Sequence, residues 1–299
     1  MNQYKAFGLN IASEYELDEL VPDCDGAPDL IIQNGRVPDV FGDHETEKPE
    51  RRIQRDAFCL SIPQVAKYSV GNGAQILIEP YSGASLEEIK LYLLGSCMGA
   101  LLYQRRTLPL HGSCINIGGK GVLLTGKSGA GKSTIASALY RKGYRMITDD
   151  VAAVRVGEFN EVIVYPGYPG QKLWEDALER LGGREEKRPL NRISRAITKY
   201  AIKSHAWFCH QEVPLRFIFE IVPQSLEQIK LEEIKLSEKL KLIMKNTYRP
   251  CMPAEMGLKE WHFQQSVAVA NQVKAYRISR PLDQPLEKNI ADILLENVV

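Results

Sequence analysis

The sequence lacks most of the features that would place it outside the ordinary soluble class. Its six cysteines, at positions 24, 59, 97, 114, 209 and 251, include no C-x-x-C pair. That spacing excludes the usual zinc sites and offers no disulfide framework, and it suits a reducing compartment. No apolar run reaches the roughly 20 residues that span a bilayer; the longest uncharged one runs from Leu91 to Tyr103. The opening residues, Met1-Asn2-Gln3-Tyr4-Lys5, have no apolar core of a secretory signal. An excess of one charge is missing too, with 38 Lys and Arg against 37 Asp and Glu and a net charge of +1. Chains that live on nucleic acid or anionic membranes carry a stronger basic excess. Repeats and low-complexity tracts are also absent. These absences predict a cytoplasmic protein with no nucleic-acid and no membrane partner.

What is present is a globular composition, 44% hydrophobic and 25% charged over 299 residues, enough for about two domains. Short apolar or alternating runs fill the first 80 residues: Tyr4 to Ile11, Leu30 to Gln33, Phe58 to Ile62 and Gln75 to Glu79. Turn residues separate them, and the charge-rich stretch Gly42 to Arg52 reads as a loop. Residues 1–84 are therefore expected to form a small β-rich accessory domain. Ser85 and Glu88 make a capping box, which starts a linking helix over 85–106. Strands and helices alternate over 107–299, the pattern of an α/β domain. Phe217 to Val222 and Lys274 to Ser279 read as buried strands within it, and Leu286, Ile290, Ile293 and Leu294 as a C-terminal helical stripe.

One motif dominates. Gly126, Lys127, Ser128, Gly129, Ala130, Gly131, Lys132 and Ser133 fit G-x-x-x-x-G-K-[ST] at every fixed position. A strand, Gly121 to Thr125, precedes the motif, and a helix opening at Thr134 follows it. Glycines let backbone N–H groups and a helix N-terminus close on phosphate oxygens. Lys132 is placed to reach the β- and γ-phosphates and Ser133 to ligate Mg²⁺, so residues 126–134 are the expected nucleotide site.

Beyond the helix, Tyr144 to Thr148 reads as a strand ending in Asp149 and Asp150. A right-handed crossover would make it parallel to the P-loop strand, with both ending on the ligand-binding edge. One acid can then hold Mg²⁺ while the other accepts a proton from an attacking hydroxyl; the plainer alternative is one metal ligand and one strand cap. Upstream, Ser113 to Ile117 and Val122 to Thr125 flank Gly118 to Gly121 as a hairpin. Pairing Ile117 with Val122 would set His111 opposite Ser128, near the phosphates and within reach of Asp149.

Pro109 to Ser113, the hairpin, Gly126 to Ser133 and Ile147 to Val151 together resemble the catalytic core of the HPr kinase/phosphorylase family, P-loop kinases that phosphorylate a protein serine. The resemblance implies a P-loop kinase core of HPr-kinase type, Asp149 as general base with His111 as its neighbour, Lys132 on the phosphates, and Ser133 and Asp150 at the magnesium. ATP is the nucleotide it implies. The family's second signature, an acidic residue followed by Arg-Gly, has no counterpart; the chain reads Tyr165-Pro166-Gly167-Tyr168-Pro169-Gly170 through to Leu173-Trp174. In overall layout the chain is similar to the HPr-kinase-like enzymes of lasso-peptide gene clusters. That likeness implies a precursor peptide, phosphorylated on its C-terminal serine, as the partner.

A basic segment with Arg184, Lys187, Arg188, Arg192, Arg195, Lys199 and Lys203 offers a carboxylate-binding surface or simply a solvated face, and Arg188 is the candidate substrate contact. Other readings remain open: a small-molecule kinase, an HPr-type protein kinase, or a nucleotide-sensing module without chemistry. No Asn-Lys-x-Asp motif supports a GTPase, and no apolar strand ending in Asp-Glu supports a transporter-type ATPase. His205, His210 and His262 lack ligand spacing and read as structural, and Trp174, Trp207 and Trp261 as packing residues. A homo-oligomer is left open.

Overall fold

A computed structural model describes residues 1–23, 25–38, 40–41, 48–54, 56–174, 191–194, 197–203, 205–282 and 287–298. Its first eight strands are β1 (Asn2–Ala6), β2 (Leu9–Ser13), β3 (Val21–Pro22), β4 (Leu30–Asn34), β5 (Glu50–Ile53), β6 (Ala57–Ile62), β7 (Ala66–Gly71) and β8 (Gln75–Pro80). They form one sheet in the order β3-β1-β2-β4-β8-β7-β6-β5. The run Tyr4 to Ile11, expected as one strand, is instead a hairpin, because Phe7 (φ 57°) and Gly8 (φ 76°) turn the chain between the paired Ala6 and Leu9. Left-handed φ at both central positions matches the natural twist of a two-residue hairpin. The expected loop at Gly42 to Arg52 ends in a strand, since Glu50, Arg51 and Arg52 pair with β6; residues 42–47 lie outside the described ones.

The linking helix is α1 (Leu86–Tyr92), a π-helical turn (Leu93–Cys97) and α2 (Met98–Gln104) in succession. Ser85 caps it, accepting from the Glu88 N–H at 3.3 Å and donating to the Glu88 carboxylate at 2.8 Å. Lys90 is almost wholly buried among Asp18, Glu19 and Glu87, at 2.8 to 3.0 Å. Burial opposes its charge, but the three carboxylates outweigh burial and hold the ammonium above its ordinary range. One hydrophobic core joins Leu30, Tyr68 and Ile78 of the sheet to Leu93 and Tyr103 of the helix, and continues to Val151, Ala153 and Tyr168 beyond residue 107.

The rest of the chain adds β9 (Leu108–His111), β10 (Ser113–Ile117), β11 (Lys120–Thr125), α3 (Lys132–Arg141), β12 (Arg145–Thr148), β13 (Val151–Val156) and β14 (Val162–Tyr165). A small antiparallel sheet, β15 (Gly170–Trp174), β16 (Asn191–Ser194) and β17 (Ile197–Lys203), follows. Then come β18 (Val213–Gln224), β19 (Lys230–Glu233), α4 (Leu236–Lys245), α5 (Met252–Glu255), α6 (Lys259–Gln272), β20 (Lys274–Pro281) and α7 (Glu287–Val298). The main sheet runs β12-β10-β11-β18-β14-β13-β9, with β20 also on β18 and β19 on β20. Strands β11, β18 and β20 are parallel. β12 has the same direction as β11, because each is antiparallel to the β10 strand between them. Apolar layers cover both faces: Ile135, Leu139, Ile290 and Leu294 from α3 and α7 on one, Leu242, Ile243 and Val269 from α4 and α6 on the other. Among the described residues, no helix is long and apolar enough to cross a membrane.

Candidate active site

The P-loop joins the end of β11 to α3. Gly126 takes φ 138°, and a Cβ there would stand 2.4 Å from the Ile221 carbonyl oxygen of β18, so only glycine fits between the two parallel strands. Gly131 (φ 100°) opens α3 without a capping side chain, which leaves the helix N-terminus directed at the loop interior, as an anion site requires. Lys132 folds back over the loop, donating to the carbonyls of Gly126 (2.9 Å) and Lys127 (3.1 Å). Arg280, near the end of β20, braces the loop through a 3.1 Å bond to the Ala130 carbonyl.

Asp149 and Asp150 sit at the turn between β12 and β13, and their side chains diverge. Asp149 is buried, and one oxygen accepts from Ser113 at 2.5 Å and from the P-loop Ser133 at 3.4 Å. Asp150 takes φ 76°, and the reversal swings its half-exposed carboxylate to His111, where Nδ1 lies 3.3 Å from Oδ1 and 3.0 Å from the Asp150 carbonyl oxygen. The histidine expected beside Asp149 thus makes its contact with the adjacent acid, Asp150. Burial first, and then the Asp149 charge, push the phenol of Tyr140 far above its ordinary range.

The hairpin register differs from the expected one. Gly118 (φ 58°) and Gly119 (φ 78°) make a two-residue turn, so Ile117 pairs with Lys120 rather than Val122. The pairing also stops at Gly112, whose missing Cβ would lie 2.3 Å from the Leu124 carbonyl oxygen. There the chain leaves β11, and β9 pairs with β13, setting His111 opposite Val151, the residue after Asp150. His111 still reaches the P-loop strand, because the Thr125 hydroxyl donates to its carbonyl at 2.9 Å, while its N–H bonds the Asn246 carbonyl at 2.7 Å.

Sequence reasoning gave no role to Ser113 or Thr125. Their signal was position alone: Ser113 follows the Gly112 crossover, and Thr125 precedes the first P-loop glycine. Arg188 lies outside the described residues. The neighbouring basic residues Arg192, Lys199 and Lys203 fall on the strands β16 and β17. His262 is buried with Nε2 2.8 Å from the Thr247 hydroxyl, and Trp207 and Trp261 pack on Tyr140 and Tyr103.

Residues 104–172 match the family model described as the HPr serine kinase C-terminal domain. That segment contains His111, the P-loop and both aspartates. The HPr kinase/phosphorylase of Bacillus velezensis (strain DSM 23117 / BGSC 10A6 / LMG 26770 / FZB42) is 34% identical over 93 residues, covering 31% of this chain and 28% of that protein. The HPr kinase/phosphorylase of Bacillus subtilis (strain 168) is 35% identical over 119 residues, 36% of each. The chain thus spans only about a third of the curated relatives it matches. The structure of the Hpr(Ser) kinase/phosphatase from Coxiella burnetii aligns over 64% of this chain and 93% of that one, with a TM-score of 0.31 and 15% identity. The match to the HPr serine kinase C-terminal domain falls on the segment that carries the P-loop, the paired acids and the histidine, and it is this segment of the chain that is similar to the HPr kinase/phosphorylases.

Proposed function

We propose that this chain is an ATP- and Mg²⁺-dependent kinase that transfers the γ-phosphoryl group to a serine hydroxyl of a peptide or protein. The observation that carries the reading is the division of labour at the β12–β13 turn: one carboxylate faces the P-loop serine and the other faces a histidine. Lys132 neutralises the β- and γ-phosphates, and the α3 N-terminus and loop amides hold them in line.

Ser133 and Asp149 form a hard oxygen pair next to the loop, which fits a magnesium ion, since that ion takes one or two protein oxygens and completes its shell with phosphates and water. Bound there, magnesium would neutralise the charge on the transferring phosphoryl group. Asp150, half-exposed and oriented by His111, accepts the serine proton as the serine oxygen bonds phosphorus and the bond to ADP breaks. This geometry favours exchanging the roles that the resemblance implied for the two acids, giving Asp150 the base and Asp149 the metal.

The layout similar to the lasso-cluster enzymes, with the Tyr165 to Trp174 segment where the acidic-Arg-Gly signature is missing, supports a lasso-type precursor peptide, phosphorylated on its C-terminal serine, as substrate. The test is mass spectrometry of Ser-terminated precursor peptides incubated with ATP, Mg²⁺ and the protein. A gain of about 80 Da on the terminal serine supports the reading. ATP binding without any peptide product points to a small-molecule kinase or a nucleotide-sensing module.

A further inference from the structure

The β1–β2 turn is built at a cost. A bulky aromatic at φ 57°, as Phe7 is, adopts a backbone conformation that side chains of its kind rarely tolerate. Phe7 is nonetheless buried, and its contacts lie across the chain. Its N–H donates to the Pro166 carbonyl at 2.6 Å, and its ring meets Tyr168 edge-on at 6.1 Å. The neighbouring Gly8 leaves room for the Tyr165 ring, which a Cβ would approach to 2.6 Å.

The same segment touches the catalytic turn on its other side. Gly167 donates to the Ile147 carbonyl at 2.9 Å. A Cβ on Gly167 would stand 2.3 Å from Thr148 Oγ1 and 3.2 Å from the Phe7 ring, so this glycine is sandwiched between the N-terminal turn and β12. Thr148 in turn donates to the Val151 carbonyl at 2.7 Å and closes the loop that presents Asp149 and Asp150. A continuous packed path therefore runs from Phe7 through Gly167 and Thr148 to the two acids, over side chains that are nearly all buried.

We infer that the N-terminal sheet is a working part of the catalytic centre: its Phe7–Gly8 turn is a positioning element that fixes the Asp149–Asp150 turn through Gly167 and Thr148. This rests on the reading of Asp149 and Ser133 as the magnesium pair. Misplacing a catalytic group by about 1 Å costs on the order of 100-fold in rate, so the effect should appear in kcat and in the use of magnesium, not in the grip of the P-loop on phosphate.

The test compares wild-type, Phe7→Ala, Gly167→Ala and Ile76→Val proteins. Ile76 is buried in the same core on β8, away from the turn. ATP affinity is measured by calorimetry with Mg²⁺ and with EDTA, beside thermal melting. Phe7→Ala and Gly167→Ala should lose most of the magnesium-dependent gain in ATP affinity while affinity in EDTA stays within about twofold. Ile76→Val should keep that gain despite a lower Tm. The inference is overturned if Phe7→Ala retains the wild-type magnesium response, or if Ile76→Val loses it to the same extent. Because this readout needs no acceptor, failure to find a peptide substrate leaves it intact. Wild-type ATP binding indifferent to magnesium would instead overturn the assignment of Asp149 and Ser133, and with it the inference.

Discussion

His111 Nδ1 lies 3.3 Å from the Asp150 carboxylate and 3.0 Å from the Asp150 carbonyl oxygen, so ring and carboxylate are fixed against each other by strand pairing as well as by their own contact. A base oriented in this way contributes about 100- to 10,000-fold to proton transfer. Asp150→Asn and His111→Ala should each lower kcat by about 100-fold or more, with the Kd for Mg²⁺-ATP within about threefold of wild type. Steady-state kinetics beside calorimetric ATP binding checks this.

Asp149 predicts the opposite split. Asp149→Asn, and more weakly Ser113→Ala, should reduce the enhancement of ATP binding by Mg²⁺, because Ser113 and Ser133 both donate to this buried carboxylate. Removing Ser113 leaves the carboxylate short of one donor, a loss of about 1–3 kcal/mol in stability. Magnesium titrations monitored by ATP affinity, with denaturant melts of Ser113→Ala, measure both effects.

Gly126 tests the cradle. Its φ of 138° and the 2.4 Å approach to the Ile221 carbonyl leave no space for a methyl group between strands β11 and β18. Gly126→Ala should weaken ATP binding by about tenfold or more. The fold should persist, as circular dichroism would show, because the strands on either side retain their pairing.

His262 predicts an acid limit to stability. Burial lowers its pKa below the ordinary value of 6.5. Below about pH 6.5 the unfolded chain takes up a proton that the folded state resists, so this contribution is complete above that pH and is lost as the pH falls toward the folded pKa. Tm should fall between pH 7 and pH 5, and His262→Gln should show a shallower fall over the same range.

The parts of this site that were legible from sequence are those that short-range chemistry dictates. The P-loop at 126–133 declares itself because only glycines allow that backbone, and the Ser85 cap because the box spacing is local. The direction of β12 followed from the handedness of the crossover, although β10 lies between it and β11. What was not legible depends on single residues that change the course of the chain. Gly118 and Gly119 closed the hairpin two residues earlier than the pattern suggested, Gly112 ended the pairing before His111, and the positive φ of Asp150 separated two adjacent acids. Phe7 was hidden for a similar reason, since an aromatic in an apolar run reads as strand until the turn is seen.

Mass spectrometry of a Ser-terminated precursor peptide, incubated with ATP and Mg²⁺ and, in parallel, the wild-type, Asp149→Asn and Asp150→Asn proteins, separates the roles of the two acids. Wild type should add about 80 Da to the terminal serine, Asp150→Asn should form that product about 100-fold more slowly or worse at every magnesium concentration, and Asp149→Asn should recover in part at high magnesium. Full activity in Asp150→Asn, with activity abolished in Asp149→Asn whatever the magnesium, would contradict the roles assigned to the two acids.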